Sequence, residues 1–254
     1  MKAVFIGTSK FGLKCLDYIN ESNFLDVSGV VTAPEKFSIS YNPRGVKNCL
    51  YADIDSYCRA QKIPFVTLRG SMNGKKLWDI VKDWEAEVFI VIGWYHMIPK
   101  KWMDFAPVFG MHASLLPDYS GGAPLVWAII NGEKKTGITL FKIDEGVDSG
   151  PILDQLEVDI TNQDTIKTLY ENVEVAGLLL LERNLSKIAS RKIHLVPQDE
   201  TLRRVFPQRT PEDGRIDWNM PADYIERFIR AQTHPYPGAF TIINGTLVRI
   251  WSAK

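Results

Sequence analysis

Two periodicities alternate along the first half of the chain. Apolar runs rich in β-branched residues recur over Lys2–Gly7, Leu25–Val31, Pro64–Leu68 and Glu87–Gly93. Between them, apolar residues fall at helical spacing. In Lys10–Asn20, Phe11, Cys15, Leu16 and Ile19 share one face behind Ser9, a side chain suited to capping a helix. Asp53–Gln61 and Lys75–Trp84 read as helices in the same way. Unbroken apolar runs are what strands buried on both faces look like. Their alternation with helices predicts an α/β chain with a Rossmann-like, doubly wound, mostly parallel sheet. The polar, turn-rich stretch Ala33–Asn48 reads as a loop. Ligands of such sheets sit beyond the carboxyl ends of the strands, so the loops after Ile6, Ile92 and Met111 are the first places to look for a site.

The second half begins with Val108 and Phe109, an apolar run leading to the polar His112. A turn-rich loop follows (Pro117, Asp118, Ser120, Gly121, Gly122), then an apolar helix-like run, Ala123–Ile130. Thr136–Lys142 alternates as a strand, and Pro151–Ile160 reads as another. Thr161–Asp164 resembles a capping box before a long helix reaching about Ala189, with Leu169, Val173, Ala176, Leu180, Leu181 and Leu185 as its core stripe. Arg203–Trp218 is irregular, Pro221–Ala231 helical, and His234–Phe240 a tight loop. Asn244-Gly245 between Ala239–Ile243 and Thr246–Trp251 predicts a β-hairpin. The expected organisation is a catalytic domain over residues 1–190 and a small α+β extension over 191–254.

Composition narrows the function. Lys plus Arg number 30 and Asp plus Glu 30 in 254 residues, a formal net charge of zero. That balance argues against a partner held mainly through phosphate neutralisation, such as a long nucleic acid. The three cysteines, Cys15, Cys49 and Cys58, lack metal-ligand spacing and read as free thiols, and no metal is expected. No apolar run approaches the roughly 18 residues of a membrane span. The start, MKAVFIGTSKFG, lacks the pattern of a secretory leader. A cytoplasmic protein without a membrane association is the expectation.

Candidate chemistry gathers at the loops. His112 and Asp148 stand at the ends of buried-looking elements, where a fold can use them as a base and its orienting carboxylate. GTSKFG is not the GxGxxG fingerprint, so a nicotinamide cofactor has little support. Gly93 and Pro99 bracket Trp94, Tyr95, His96, Met97 and Ile98. Two readings of this loop stay open: a slot for a planar heterocycle, or aromatics that plug the end of the sheet. His96 is a second acid/base candidate, with an exposed loop histidine as the plainer alternative.

The segment HASLLPDYSGGAPLVWAIINGEKKTGITLFKIDEGVDSGPIL resembles the core of the 10-formyltetrahydrofolate-dependent formyltransferases. The corresponding motifs are His112–Pro117, Tyr119–Pro124, Thr136–Thr139 and Asp148–Gly150. FIGTSKFG, DGRIDW and THPYPGAF are similar to the methionyl-tRNA and sugar-nucleotide branches. The resemblance implies that a neutral primary amine attacks the formyl carbon of the folate and generates an oxyanion. It makes His112 and Asp148 the catalytic groups. It places the pteridine against the 94–98 loop and Ile143, Asp144, Glu145 and Asp148. In the family an Asn stands two positions before the His; here that position is Gly110, so one oxyanion donor is missing. The loss of such a donor costs about 2.7–4 kcal/mol of barrier in other enzymes.

The resemblance also bears on the acceptor. The chain has no room for the further C-terminal domain expected of the tRNA branch, which points to the sugar-nucleotide N-formyltransferases of glycan or lipopolysaccharide biosynthesis. Their acceptors are amino-dideoxy sugars on UDP or dTDP. Ser9, Ser114, Tyr119, Gly121 and Gly122 are expected at the substrate, Arg204, Arg209 and Arg230 at a diphosphate, and Tyr236 or Trp218 against a base. Structural ion pairs and core aromatics are the alternative for these last groups. A homodimer is expected. A methionyl-tRNA formyltransferase-like enzyme and a non-catalytic folate- or nucleotide-binding homologue are the competing functions.

Overall fold

The computed structural model describes residues 1–39 and 42–253. Strand β1 (Lys2–Ile6) is followed by α1 (Lys10–Glu21), β2 (Asp26–Thr32), β3 (Lys36–Ile39), β4 (Asn42–Lys47), α2 (Ile54–Gln61), β5 (Phe65–Thr67), α3 (Lys75–Asp83), β6 (Val88–Val91), α4 (Lys100–Phe105) and β7 (Val108–His112). Then come β8 (Ser120–Gly121), α5 (Pro124–Ile130), β9 (Lys135–Lys142), β10 (Ile152–Asp159), α6 (Ile166–Ala189), β11 (Val205–Phe206), α7 (Ala222–Arg230), β12 (Ala239–Ile243) and β13 (Thr246–Ile250). Turns of 3₁₀ helix cover Glu200–Leu202 and Pro211–Gly214. The main sheet has seven strands in the order β10-β9-β7-β6-β1-β2-β5. Its β1–β2, β1–β6, β6–β7 and β2–β5 pairings are parallel. No helix among the described residues is long and apolar enough to cross a membrane.

By compactness the chain forms two units. The first comprises Met1–Met111, Leu140–Asp154 and Leu180–Pro197; the second comprises His112–Thr139, Gln155–Leu179 and the residues from Gln198 onward. The expected boundary at residue 190 falls within the last stretch of the first unit.

The first unit carries the continuous apolar runs. Val88, Phe89 and Ile90 on β6, and Val4, Phe5 and Ile6 on β1, are at most 1% exposed. The apolar faces of α3 and α4 close over the sheet through Val81 and Trp102, both fully buried. Trp102 stacks at a tilt on Phe89 and Trp78. Truncating a side chain of this size and burial costs about 3–5 kcal/mol. The expectation of a loop over Ala33–Asn48 is corrected: β3 and β4 pair antiparallel there, while residues 40 and 41 lie outside the described residues. The hairpin forms a sheet of its own, so its strands need no long apolar run. The short helix α4 was not expected from the sequence.

In the second unit the Asn-Gly signal holds. Asn244 and Gly245 take φ of 48° and 79°, the left-handed pair a tight hairpin needs, between β12 and β13. Helix α6 starts at Ile166, slightly later than the capping-box reading implied. Asp164 accepts from Thr161 N and Oγ1 at 2.8 and 2.7 Å and from Thr168 Oγ1 at 2.8 Å, so the turn before the helix is fixed by one carboxylate.

Candidate active site

In the first unit, the loops after β1, β2 and β6 are bound to one another by backbone and short polar side chains. Thr8 N donates to Gly93 O, and Thr8 Oγ1 to Ala33 O. Ser9 is buried, and its Oγ accepts from Gly12 N at 3.0 Å. A Cβ at Gly93 would lie 1.9 Å from that Oγ, so the loop must begin with glycine. Ser9 therefore caps α1, as the sequence suggested.

Beyond Gly93 the aromatic loop closes on β3. Phe37 packs on Tyr95 and His96 at 5.5 and 5.3 Å, and Trp94 on His96 at 5.3 Å. Tyr95 donates its hydroxyl to Asn48 Oδ1 at 3.1 Å. Ile98 is buried in the core, whereas Met97 is 60% exposed. Trp94 Nε1 and His96 Nε2 are buried and have no hydrogen-bond partner among the described residues. Burial lowers the pKa of His96, which holds the ring neutral. An orphaned buried polar atom typically costs about 1–3 kcal/mol, so this pair is unusual in a pure plug of aromatics.

The space beside Gly110 is filled. A Cβ built on Gly110 would meet Ile143 Cδ1 at 2.7 Å, Ile143 Cγ1 at 3.1 Å and Val91 O at 3.4 Å. Ile143 is fixed there because its N–H donates to Val108 O at 2.8 Å, beside β7. An aliphatic side chain thus stands where the family resemblance led one to look for an amide.

After Ile143 the chain makes a tight loop to Pro151. Lys142 N donates to Pro151 O at 2.9 Å, and a Cβ at Gly150 would lie 1.7 Å from Lys142 O. Asp144 Oδ1 accepts from Gly146 N at 3.1 Å and Ser149 Oγ at 2.7 Å. Glu145 pairs with Lys100 at 2.7 Å. The side chains of Asp144 and Glu145 therefore brace the loop. Asp148 sits in it, half-buried, with φ of 53°.

The second unit opens with His112, half-buried, whose Nε2 lies 2.8 Å from Tyr119 O. A carbonyl oxygen only accepts, so Nε2 carries a proton directed at Tyr119 O. Tyr119 has φ of 54°. It stacks face to face on Phe206 at 4.3 Å and donates its hydroxyl to Glu133 at 2.7 Å. Burial first, then the bond to Glu133, push this phenol up to about 12.

Most residues expected to meet the acceptor have partners within this unit. Ser114 is buried and donates to Asp118 O at 2.7 Å. Gly121 and Gly122 do not form an open cradle. Strand β11 runs parallel over β8, and side chains at these glycines would strike Phe206 O and Gln208 Cα, each at 2.4 Å. Arg204 grips Asp118 with Nε and Nη2 at 2.7 and 2.6 Å and reaches Glu133 at 3.2 Å. Arg209 donates to Asp213 O and Gln232 Oε1 and lies over the rings of Trp127 and Phe228. Arg230 donates to Glu226 and to Asp164 O. Tyr236 shares a 2.7 Å hydrogen bond with Tyr170, and Trp218 Nε1 donates to Thr241 Oγ1. Each of these groups thus has a protein partner, of the kind the structural alternative expects. Charge and aromaticity in the sequence did not tell whether their partners would be ligand or protein. Among the described residues, no group of three or more His, Cys, Asp or Glu side chains is placed to hold a metal ion.

Comparison with known proteins fits this arrangement. The formyl transferase family matches residues 1–184, and the formyl transferase C-terminal domain matches residues 209–254. The second match lies within the C-terminal extension expected over residues 191–254. The chain is 32% identical over 257 residues to the methionyl-tRNA formyltransferase of Caldanaerobacter subterraneus subsp. tengcongensis, covering 100% of this chain and 81% of that protein. It is 33% identical to the methionyl-tRNA formyltransferase of Enterococcus faecalis, covering 99% and 78%. Its fold is similar to that of a 4-N formyltransferase from Francisella tularensis, with a TM-score of 0.78 and 18% identity over 100% of this chain and 98% of that one. The chain is a member of the formyl transferase family and an enzyme of formyl-group transfer.

Proposed function

We propose that this chain moves a formyl group from 10-formyltetrahydrofolate to the primary amine of a nucleotide-linked amino-dideoxy sugar. What supports the choice of a small acceptor is the engagement of five arginines between residues 203 and 230. The formal charge is zero. Arg203, Arg204, Arg227 and Arg230 each pair with a carboxylate of the same unit, and Arg209 is bound by a carbonyl and an amide oxygen. A tRNA needs cations that can exchange counterions for its phosphates.

The residues present fit the folate. Trp94 Nε1 and His96 Nε2 are buried polar atoms awaiting partners, and a planar heterocycle with ring nitrogens and a carbonyl supplies them. Met97 offers an exposed, adaptable apolar flank. When bound, the folate supplies the activated formyl carbon. His112, held through Nε2–H by Tyr119 O, takes the proton of the attacking amine and delivers it to the folate nitrogen as the bond from that nitrogen to the formyl carbon breaks. The resemblance gives Asp148 as the second catalytic group. Ile143 and Gly110 give the site an apolar wall in place of a donor.

Mass spectrometry of a panel of amino-sugar nucleotides incubated with 10-formyltetrahydrofolate tests the reading. The expected result is an acceptor heavier by one formyl group, with turnover falling by at least about a hundredfold in His112→Asn and Asp148→Asn proteins that still fold. Unchanged rates in both variants would sink the catalytic assignment.

A second reading rests on the 32–33% identity to methionyl-tRNA formyltransferases over essentially the whole chain. It predicts formylation of charged initiator tRNA with a steep loss of binding as salt rises. Tight folate binding with no turnover on any acceptor would instead favour a binding protein.

A further inference from the structure

We infer that Arg209 is an oxyanion site of the phosphoryl class and holds one phosphate group of the acceptor. Its link to the acceptor rests on the reading of a nucleotide-linked sugar; the anion site rests on the surroundings of the side chain alone. Its partners set it apart from other arginines of the same unit. Arg203, Arg204, Arg227 and Arg230 each meet a carboxylate. Arg209 donates only to neutral oxygens, Asp213 O at 2.7 Å and Gln232 Oε1 at 2.8 Å, both from Nη2. No ion pair joins it to a carboxylate among the described residues. Asp213 turns its own carboxylate to Thr210 N and Oγ1, at 2.6 and 3.0 Å, and acts on the guanidinium only through space.

The charge is held in a slot between two rings. The guanidinium lies 4.6 Å from the ring centroid of Trp127 on α5 and 5.6 Å from that of Phe228 on α7. Trp127 is pinned by its Nε1 donating to Pro207 O at 2.9 Å. Gln232 is buried and anchored by its Nε2 donating to Phe228 O at 3.0 Å. Ring faces and neutral oxygens supply dipoles that orient a cation but do not cancel it. Burial lowers the pKa of this guanidinium, the direction expected of a charge taken from water with no counter-charge bound to it. Charges so placed are ordinarily paired. The donors on Nε and Nη1 carry no hydrogen bond among the described residues, and neither atom is one of the fully buried ones. A planar cation, immobilised on one side and open on the other, is prepared for the oxygens of a phosphate. One such cation suits a single phosphate group of a small ligand, whereas a tRNA engages many.

The experiment is calorimetric titration with UDP, dTDP and inorganic diphosphate, alongside kinetics with the formylated sugar nucleotide's parent amine. Wild-type protein should bind one of the two nucleoside diphosphates. Arg209→Met fills the slot between the rings without the charge. In it that affinity should fall roughly ten- to a hundredfold, the loss of one charge-assisted contact. KM for the acceptor should rise by a similar factor, with KM for 10-formyltetrahydrofolate and kcat changed far less. A second measurement needs no variant to fold. The bound nucleotide, and inorganic diphosphate, should slow phenylglyoxal modification of Arg209 in wild-type protein, read by peptide mass spectrometry; glutamate at equal ionic strength should not. Unchanged affinity and KM in folded Arg209→Met, or modification of Arg209 at the same rate with and without saturating diphosphate, would overturn the inference. Protection by glutamate equal to that by diphosphate would overturn the phosphoryl class. Protection by inorganic diphosphate, with neither nucleotide bound and no sugar nucleotide formylated, would leave the anion site standing and remove the nucleotide-linked acceptor.

Discussion

Ile143 occupies the space that any side chain at position 110 would need. A Cβ on Gly110 would come within 2.7 Å of its terminal methyl group. A polar group cannot be returned to β7 by one substitution, because Ile143 belongs to the same packing. Gly110→Asn alone should lower stability by about 1–3 kcal/mol as Ile143 is forced aside. Paired with Ile143→Ala, the new amide has room. The double variant should recover stability relative to Gly110→Asn and show a higher kcat for formyl transfer. A double variant that folds well and is no faster than wild type would show that an amide here has no catalytic value in this chain.

The loop that carries Asp148 is closed by backbone, with no side chain able to yield. Gly150→Ala sets a Cβ 1.7 Å from Lys142 O. The Lys142 N to Pro151 O bond has to open to accept it. Thermal unfolding should show a loss at the large end for a single substitution, about 3 kcal/mol or more, and turnover should fall with it because Asp148 is displaced. A melting temperature within a degree of wild type would contradict this geometry.

Asp164 gives a pH-dependent test. Burial pushes its carboxyl upward, but hydrogen bonds from Thr161 and Thr168 and the charge of Arg230 outweigh it, so the group sits below the ordinary carboxylate range. The folded value is depressed relative to the unfolded one. Its stabilisation is therefore fully present above the unfolded carboxylate value of about 4 and is lost as pH falls through the folded value. Asp164→Asn should be less stable than wild type by about 1 kcal/mol at pH 7. The gap should close in titrations taken below about pH 4. A gap of constant size down to pH 3 would assign the effect to packing instead.

The parts of the fold with strong local signals were legible in the chain. The runs at β1, β2 and β6 are apolar because both faces are covered, and Asn244-Gly245 announces its hairpin by the backbone angles it demands. The hairpin of β3 and β4 escaped because its strands pair only with each other and carry no apolar run. Helix α4 is too short to show a period. For the site, the motif positions of His112 and Asp148 were visible, but the partners that define their neighbours were not. Arg204 meets Asp118 across 86 positions, and nothing local distinguishes an arginine bound for a carboxylate from one bound for a phosphate. Ile143 lies in a different segment from the glycine it covers, so the gap at Gly110 looked empty in the sequence.

The alternation of segments between the two units bears on how the protein is made and how it is degraded. The first unit draws on residues from Met1 to Pro197, and the stretches His112–Thr139 and Gln155–Leu179 within that span belong to the second. A growing chain cannot finish one unit and then begin the other, as it would with beads on a string; each must wait for distant sequence. A protease that nicks a surface turn between residues 112 and 179 would leave both units short of segments they require, so cleavage there should not release a stable fragment.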